Sequence, residues 1–190
     1  MTRPLVAKLG GNALALLPDA LAAADGRPLV LVHGGGAQIT ALMEQRGISA
    51  RFVDGRRFTD LPTLACVRVA LADVSDELVA ALRVLGREAQ PFRTGELLTC
   101  VRRRELGLVG DPAAVTTAAI AAAWSTGRVP LIAPIGRDAD SPRLLNVNAD
   151  DVAAAVAVSG GMLPKLEACA AALAGGVRIV RIGAGTVVVP

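Results

Sequence analysis

Features that mark secreted, zinc-binding or nucleic-acid-binding proteins are scarce in this sequence of 190 residues. Its three cysteines, Cys66, Cys100 and Cys169, form no CxxC pair, which favours reduced thiols packed in a core over a disulfide framework or a zinc site. The 20 basic and 17 acidic residues are scattered along the chain, so no nucleic-acid partner is expected. With 53% hydrophobic and 19% charged residues, the chain is typical of a globular protein with a substantial core.

No segment has the length and composition of a membrane span or of a targeting signal. The longest charge-free alanine-rich stretch, residues 112–127, is shorter than the ~20 residues that cross a bilayer, and it is predicted to form a packed helix. The first residues contain neither a basic leader with a long apolar centre nor a small-residue cleavage site. We therefore expect a cytoplasmic protein with no membrane partner.

Lysine is unusually rare among the basic side chains. Only Lys8 and Lys165 are lysines, and the other basic residues are arginines. Because arginine serves as the general surface cation in this chain, a lysine is a candidate for work that needs a compact ammonium directed at one oxygen. The alternative is that the two lysines persist by chance.

Short apolar runs alternate with helical patterns along the chain, which predicts an α/β sandwich around a mostly parallel sheet. A strand, a glycine turn and a helix occur twice in the first 45 residues, as 5–9 with 13–24 and as 28–33 with 37–45. The remaining predicted elements are helices at 64–72 and 76–85, a hairpin of 96–102 with 107–109, a helix at 113–124, a strand at 129–133, helices at 151–158 and 163–174, and strands at 177–182 and 186–189.

Both glycine turns lie where α/β sheets bind ligands, between the carboxyl end of a strand and the start of a helix. Glycine lets backbone amides approach an anion there, and the helix N-terminus adds partial positive charge. Neither turn matches the dinucleotide pattern G-x-G-x-x-G, and no G-x-x-x-x-G-K-[ST] phosphate loop is present. Tight turns without a ligand are the alternative. The single histidine, His33, is expected to make a hydrogen bond at a strand end, because no serine lies in a nucleophile-elbow sequence.

Two further polar groups have two interpretations each. Arg56 and Arg57 lie in a loop beside a glycine, where a guanidinium suits a forked contact with a carboxylate but is also a common solvated charge. Asn146, Asn148 and Asp150 are spaced by two, so as an extended segment they direct their side chains into one crevice. Alternatively they cap the following helix.

The order of these pieces resembles the amino-acid kinase family, and within it most closely the N-acetyl-L-glutamate kinases. The segments that carry the resemblance are VAKLGGN (6–12), VHGGG (32–36), GRRFTD (55–60), LNVNAD (145–150) and GGMLPK (160–165). The resemblance implies a three-layer αβα sandwich with a mostly parallel central sheet. It also implies in-line transfer of the γ-phosphoryl group of Mg-ATP to the side-chain carboxylate of N-acetyl-L-glutamate, giving an acyl phosphate and ADP in arginine biosynthesis.

The resemblance implies catalytic roles for three residues. Lys8 and Lys165 would stabilise the transferring phosphoryl group, and Asp150 would orient both lysines. The implied contacts with the phosphates of ATP are made by Gly10, Gly11 and Asn148. ATP and Mg²⁺ are the implied cofactors, and no metal ligand is expected among the protein's residues.

The resemblance also implies how the acyl amino acid is held. Gly35 and Gly36 would present backbone amides to it, Arg57 would bind its α-carboxylate, and Asn146 would bind its N-acetyl-glutamate body. One family domain would cover residues 1–190, with an acyl-amino-acid and dimerisation lobe at about 1–145 and a remnant of the nucleotide lobe at 146–190.

The chain departs from the family pattern after the LNVNAD segment. It is several dozen residues shorter than family members, because Val158 leads directly into Ser159 where the family has a further strand, a nucleotide-binding loop and a helix. One explanation is a discontinuous sequence, which predicts that the Cα–Cα separation at Val158–Ser159, or at a bond nearby, lies far above the ~3.8 Å of a trans peptide. The other is a truly shortened chain. We favour the first.

No helical extension precedes the Lys8 strand, so a homodimer without arginine feedback is expected. Two alternative functions stay open. One is a kinase for aminoadipate or glutamate carried on a small acidic protein, for which the basic run 102–104 offers a surface. The other is a catalytically inactive relative that binds an acyl amino acid.

Overall fold

The computed structural model describes residues 4–159 and the two short strands Val180–Ile182 and Thr186–Val188. The helices are α1 (Ala13–Ala24), α2 (Gly36–Gln45), α3 (Leu61–Val84), α4 (Thr117–Ser125) and α5 (Ala149–Ser159). The strands are β1 (Leu5–Leu9), β2 (Leu29–His33), β3 (Phe52–Val53), β4 (Arg56–Arg57), β5 (Ala89–Phe92), β6 (Leu98–Arg103), β7 (Val109–Val115), β8 (Val129–Ile132), β9 (Ile135–Asp138), β10 (Leu144–Val147), β11 (Val180–Ile182) and β12 (Thr186–Val188).

A parallel sheet with the strand order β1-β2-β8-β5 forms the centre of the molecule. Its register pairs Lys8 with Val32 and Leu9 with His33, so the two glycine turns that follow β1 and β2 start at the same edge. This confirms the predicted parallel sheet. β5, at the far edge, tolerates Pro91 because an edge strand need not donate every backbone hydrogen bond.

Helices cover both faces of this sheet, which confirms the predicted αβα sandwich. Side chains alternate between the faces along a strand. Val6 packs in the cluster that contains Ile120 of α4 and Val152 of α5, whereas its neighbour Leu5 packs in the cluster that contains Leu78 of α3. Because β1 and β2 are buried on both faces, they are continuous apolar runs.

A small closed barrel of strands β10, β7, β6 and β9 adjoins the sheet and was not predicted. Its interior is too tight for side chains at two positions. A Cβ on Gly136 would overlap Cys100 Sγ, and one on Gly110 would lie 2.9 Å from Cys100 Cβ. Cys66 and Cys100 are both buried free thiols, as predicted, and burial raises the pKa of Cys100 to about 12. Cys169 lies outside the described residues.

Three predicted helices are corrected by the structure. The pair at 64–72 and 76–85 is one helix, α3, because Ser75 in the intervening polar stretch is fully buried and hydrogen-bonded to His33. The predicted packed helix within 112–127 begins only at Thr117, and residues up to Val115 extend β7. Pairing with β6 closes the barrel and overrides the helical preference of the alanines.

Helix α5 runs through Val158 and Ser159 without interruption, so the break expected between these residues is not present. Ser159 Oγ donates to Ala155 O at 2.9 Å, one turn back. The helix predicted at 163–174 lies outside the described residues. The division of the chain into two lobes stays a prediction.

Candidate active site

A cavity of about 290 Å³ opens at the carboxyl ends of β1, β2 and β10. Its lining includes nine of the residues singled out in the sequence, namely Lys8, Gly10, Gly11, Gly35, Gly36, Arg57, Asn146, Asn148 and Asp150. Lys165 lies outside the described residues. Segments far apart in the sequence therefore meet at the sheet edge where parallel α/β folds bind ligands.

Lys8 and Asp150 form an ion pair at this cavity. Lys8 Nζ lies 3.1 Å from Asp150 Oδ1, and the Lys8 side chain is 12% exposed whereas that of Asp150 is 51% exposed. Lys8 lies near the carboxyl end of the buried strand β1, and Asp150 lies in the first turn of α5. The carboxylate thus fixes the direction of an ammonium that would otherwise have several rotamers.

Asn148 caps α5 and so positions Asp150. Its Oδ1 accepts hydrogen bonds from the backbone N–H groups of Asp150, at 2.7 Å, and Asp151, at 3.3 Å. Both interpretations of this residue hold together, since it is a helix cap that also lines the cavity.

The helices that begin at the two glycine turns have no side-chain cap. Neither α1 nor α2 has a side-chain hydrogen bond at its N-terminus or an acidic residue in its first turn. By contrast, Asp60 caps α3 by accepting from Thr63 N at 2.9 Å. Helix α4 also begins without a side-chain cap, but it does not line the cavity. The turns before these two helices line the cavity through Gly10, Gly11, Gly35 and Gly36, so their backbone N–H groups are candidate donors for an anion.

Gly35 and Gly36 have different structural reasons for being glycine. A Cβ on Gly35 would lie 2.9 Å from Leu71 Cδ2 of α3, so this residue permits close packing of the turn against the helix. A Cβ on Gly36 would meet nothing within 4 Å. Gly36 therefore leaves open space at the start of α2, and that space belongs to the cavity.

Arg57 is a buried guanidinium that lines the cavity. It is 8% exposed and contacts Thr40 Oγ1 at 2.9 Å, Gly36 O at 3.3 Å and Met43 Sδ at 3.2 Å. Its guanidinium carbon lies 4.7 Å from the ring centre of Phe52. No ion pair within 4–159 includes Arg57, and burial lowers its pKa. A cation held in this way favours a bound carboxylate.

The neighbouring Arg56 forms ion pairs with two acidic residues of the protein. It lies 2.6 Å from Asp111 of β7 and 2.8 Å from Asp151 of α5, and Arg103 also pairs with Asp111. Burial lowers the pKa of Arg56, but the two carboxylates outweigh it and the pKa is raised overall. Arg56 thus joins the barrel to α5, and Arg57 is the arginine left for a ligand.

His33 holds the second glycine turn in place. Its ring lies 2.9 Å from Gly34 O through Nδ1 and 2.7 Å from Ser75 Oγ through Nε2. A carbonyl only accepts, so we assign the proton to Nδ1, and Nε2 accepts from the Ser75 hydroxyl. Burial lowers the pKa of His33, which keeps the ring neutral near pH 7. This confirms the predicted hydrogen bond at a strand end.

A family model described as the amino acid kinase family matches residues 3–159. The chain belongs to the amino acid kinase family. The match ends at Ser159, the last residue of α5, which is also where the sequence departs from the pattern of the family.

Similar members of the amino acid kinase family are acetylglutamate kinases. That of Koribacter versatilis is 32% identical over 233 aligned positions, which cover 94% of this chain and 89% of the relative. That of Acidobacterium capsulatum is 34% identical, with 93% and 89% covered. Because 233 aligned positions exceed the 190 residues of the chain, the Koribacter kinase carries residues that have no counterpart here.

The solved structure of smu.665 from Streptococcus mutans superposes with a TM-score of 0.78 at 25% identity, and the match covers 100% of this chain and 99% of that one.

Two residues that support the residues around the cavity were not identified individually from the sequence. Thr59 is fully buried and hydrogen-bonds both Arg57 and Asn146, and Ser75 orients His33. Thr59 belongs to the GRRFTD segment, which resembles the family pattern, but the sequence analysis assigned no role to Thr59 itself. For Ser75, the signal was a polar residue at a core-facing position of α3.

The described residues contain no cluster of side chains of the kind that binds a metal ion. No group of three or more His, Cys, Asp or Glu side chains within this part of the chain could hold one. The helices of the same part include none that is long and apolar enough to cross a membrane.

Proposed function

We propose that this protein is an acetylglutamate kinase, which transfers the γ-phosphoryl group of ATP to the side-chain carboxylate of N-acetyl-L-glutamate and gives N-acetyl-L-glutamyl 5-phosphate and ADP in arginine biosynthesis. The observation that carries the proposal is the buried Arg57 guanidinium, which has no carboxylate partner among residues 4–159 and shares a cavity with the Lys8–Asp150 pair. The acetylglutamate kinases among its relatives support this substrate.

The acceptor substrate would be held at its α-amino-acid end. Arg57 would bind the α-carboxylate through paired hydrogen bonds, and the amides of Gly35 and Gly36 would meet acceptor oxygens of the acyl amino acid. Asn146 would contact the acylated nitrogen. These contacts direct the side-chain carboxylate along the cavity toward Lys8.

In the transfer step an oxygen of the side-chain carboxylate attacks the γ-phosphorus, and the bond from that phosphorus to the β,γ-bridging oxygen breaks. The electron pair of that bond leaves with ADP. Charge spreads over the phosphoryl oxygens in such a transfer, so fixed cations and amides supply most of the acceleration. We assign this work to Lys8, oriented by Asp150, to the Gly10 and Gly11 amides, and to Lys165. Asn148 would offer its amide N–H groups to the phosphates of ATP.

Magnesium would enter as the complex with ATP. Mg²⁺ in phosphoryl-transfer sites keeps several waters and is bound largely through substrate phosphates. The ion would neutralise phosphate charge while the protein's own cations act on the migrating group.

Hydroxamate formation tests the proposal, because hydroxylamine traps the acyl phosphate. Wild type with ATP and N-acetyl-L-glutamate is expected to release one ADP per hydroxamate. Arg57→Lys is expected to raise KM for N-acetyl-L-glutamate by about 100-fold, because an ammonium does not form the paired contact, while KM for ATP stays nearly unchanged. Equal KM values in wild type and Arg57→Lys would contradict the assigned role of Arg57.

The same assay separates the two alternatives. A carrier-linked aminoadipate or glutamate kinase would ignore the free substrate, and an inactive binder would give no hydroxamate with either form. Two of the three arginines at 102–104 are engaged within the barrel, since Arg102 donates to Gly107 O and Arg103 pairs with Asp111.

The proposed assembly is a homodimer in the cytoplasm. Helix α3 exposes large apolar side chains, with Leu61 75%, Val69 41% and Val84 86% exposed. Burying them against a second copy would stabilise the association by the hydrophobic effect. Light scattering after size-exclusion chromatography tests the assembly, and a mass of one chain would contradict it.

A further inference from the structure

Thr59 lies behind the cavity and contacts two of the residues that line it. The residue is fully buried and is absent from the lining. Its Oγ1 donates to Arg57 O at 2.9 Å, and Asn146 Nδ2 lies 3.1 Å from the same oxygen. One hydroxyl therefore connects the proposed carboxylate-binding residue with the proposed amide-binding residue.

The backbone of Thr59 is clamped, so its hydroxyl has a fixed position. Thr59 N donates to Leu106 O at 3.0 Å, and Leu108 N donates to Thr59 O at 2.6 Å. Between these contacts, Gly107 has a φ of +81°, and a Cβ there would overlap Thr59 O. Residues 106–108, which lead into β7, therefore hold both the N–H and the carbonyl of Thr59 by hydrogen bonds.

The hydroxyl determines which way the Asn146 amide faces. A hydroxyl has one proton, and here the Arg57 carbonyl, which can only accept, takes it. Toward Asn146 the Thr59 oxygen can therefore only accept, so the NH₂ end of the amide must face it. Asn146 Oδ1 is the remaining end, and no residue in the described part of the chain donates to it.

We propose that Thr59 is a positioning residue that holds the Asn146 carbonyl oxygen available as an acceptor, and that the cavity thereby selects ligands with an N–H donor on the α-substituent. The inference rests on the proposed function and adds to it the residue that orients the Asn146 amide toward the acylated nitrogen. Arg57 offers only donors and Asn146 Oδ1 only accepts, so the α-carboxylate and the acylated nitrogen cannot exchange places without leaving both unpaired. An N-acyl amino acid meets both conditions.

Binding calorimetry with a matched pair of ligands tests the inference. One ligand is N-acetyl-L-glutamate, and the other is (S)-2-acetoxyglutarate, in which an ester oxygen replaces the N–H at nearly the same shape. Wild type is expected to bind the amide at least about tenfold more tightly, because the ester presents a second acceptor to Asn146 Oδ1. In Thr59→Val the isosteric side chain frees Asn146 to turn, and the preference is expected to fall to within about threefold.

Two further variants distinguish positioning from a general loss of stability. Thr59→Ser keeps the hydroxyl and is expected to restore the wild-type preference. Thr63→Val is the matched control, since Thr63 is a buried threonine that hydrogen-bonds Asp60 and lies outside the cavity lining. It is expected to lower the melting temperature while keeping the preference for the amide.

Each outcome bears on a different claim. The inference is overturned if Thr59→Val keeps the wild-type preference, if Thr59→Ser loses it, or if wild type binds both ligands equally. Amide-selective binding without hydroxamate formation would support the inference and contradict only the kinase proposal. No binding of N-acetyl-L-glutamate at millimolar concentration would contradict both.

Discussion

At the scale of single residues, some charged groups around the cavity are paired with one another, whereas others remain available for a ligand. Arg56 and Arg57 are adjacent in the sequence, but Arg56 is engaged by two carboxylates, whereas none within residues 4–159 pairs with Arg57. Lys8 differs from both, because a single, half-exposed carboxylate orients it without enclosing it. Burial and pairing, which a sequence does not display, decide which of these cations can act on a substrate.

Gly36 offers a test of the cavity that does not disturb the fold. In Gly36→Ala the new methyl group meets no atom within 4 Å, and the residue lies at the start of α2, so thermal stability is expected to stay equal or rise slightly. The same methyl group occupies cavity space, and KM for N-acetyl-L-glutamate is expected to rise by about tenfold, equivalent to roughly 1.4 kcal/mol. Paired melting and kinetic measurements check both effects. A rise in KM accompanied by a large loss of stability would point to misfolding instead.

His33 predicts a pH dependence of stability. Its pKa is lowered by burial in the folded protein, so the unfolded chain binds more protons as the pH falls through about 6.5. The free energy of unfolding is therefore expected to fall between pH 7.5 and 5.5, by at most about 1.4 kcal/mol per pH unit. His33 is the single histidine, so His33→Asn is expected to flatten this slope. Urea titrations across this range measure it, and an unchanged slope in His33→Asn would refute the assignment.

At the scale of elements, two helix caps provide a matched comparison. Asp60→Ala and Asn148→Ala each remove a side-chain cap, from α3 and α5, and each is expected to cost about 1 kcal/mol of stability. Only Asn148 also positions Asp150 beside Lys8. We therefore expect kcat to fall at least about tenfold in Asn148→Ala and to stay near wild type in Asp60→Ala. Equal loss of activity in the two variants would show that the fall follows stability alone.

The elements also show what the sequence could predict. β1 and β2 were predicted because a strand buried on both faces is a continuous apolar run that ends at glycine. The barrel could not be predicted in the same way. β9 and β10 have only four residues each, IGRD and LLNV, and their sequences do not alternate between apolar and polar residues. In β7, the two residues between Pro112 and Val115 are alanines, which favour helices. Their strand structure depends on partners from distant parts of the chain, which local propensity does not contain.

The same reasoning applies to the site. Lys8 and Asp150 were identified by rarity, spacing and resemblance to the amino-acid kinase family. Thr59 and Ser75 received no role, because each acts through the residue it positions. A threonine in a loop and a serine within a helical pattern are common in any sequence. Only the three-dimensional contacts indicate that these hydroxyls orient Asn146 and His33.

At the scale of the whole molecule, the chain combines a family domain over residues 3–159 with a shorter remainder. The described part supplies Lys8 and the cavity in which we propose that the acyl amino acid binds. A complete phosphoryl-transfer site on this account also needs Lys165, which the sequence places in the GGMLPK segment beyond α5. The central claim is that ammonium groups from both parts act on the same phosphoryl group.

Hydroxamate formation by the full chain, with wild type beside Lys8→Arg and Lys165→Arg, measures this claim most directly. Each variant keeps the positive charge but replaces a compact ammonium with a planar fork. Each is expected to lower kcat by about 10²–10³, with KM for N-acetyl-L-glutamate changed by less than about threefold. Full activity in either variant would contradict the account.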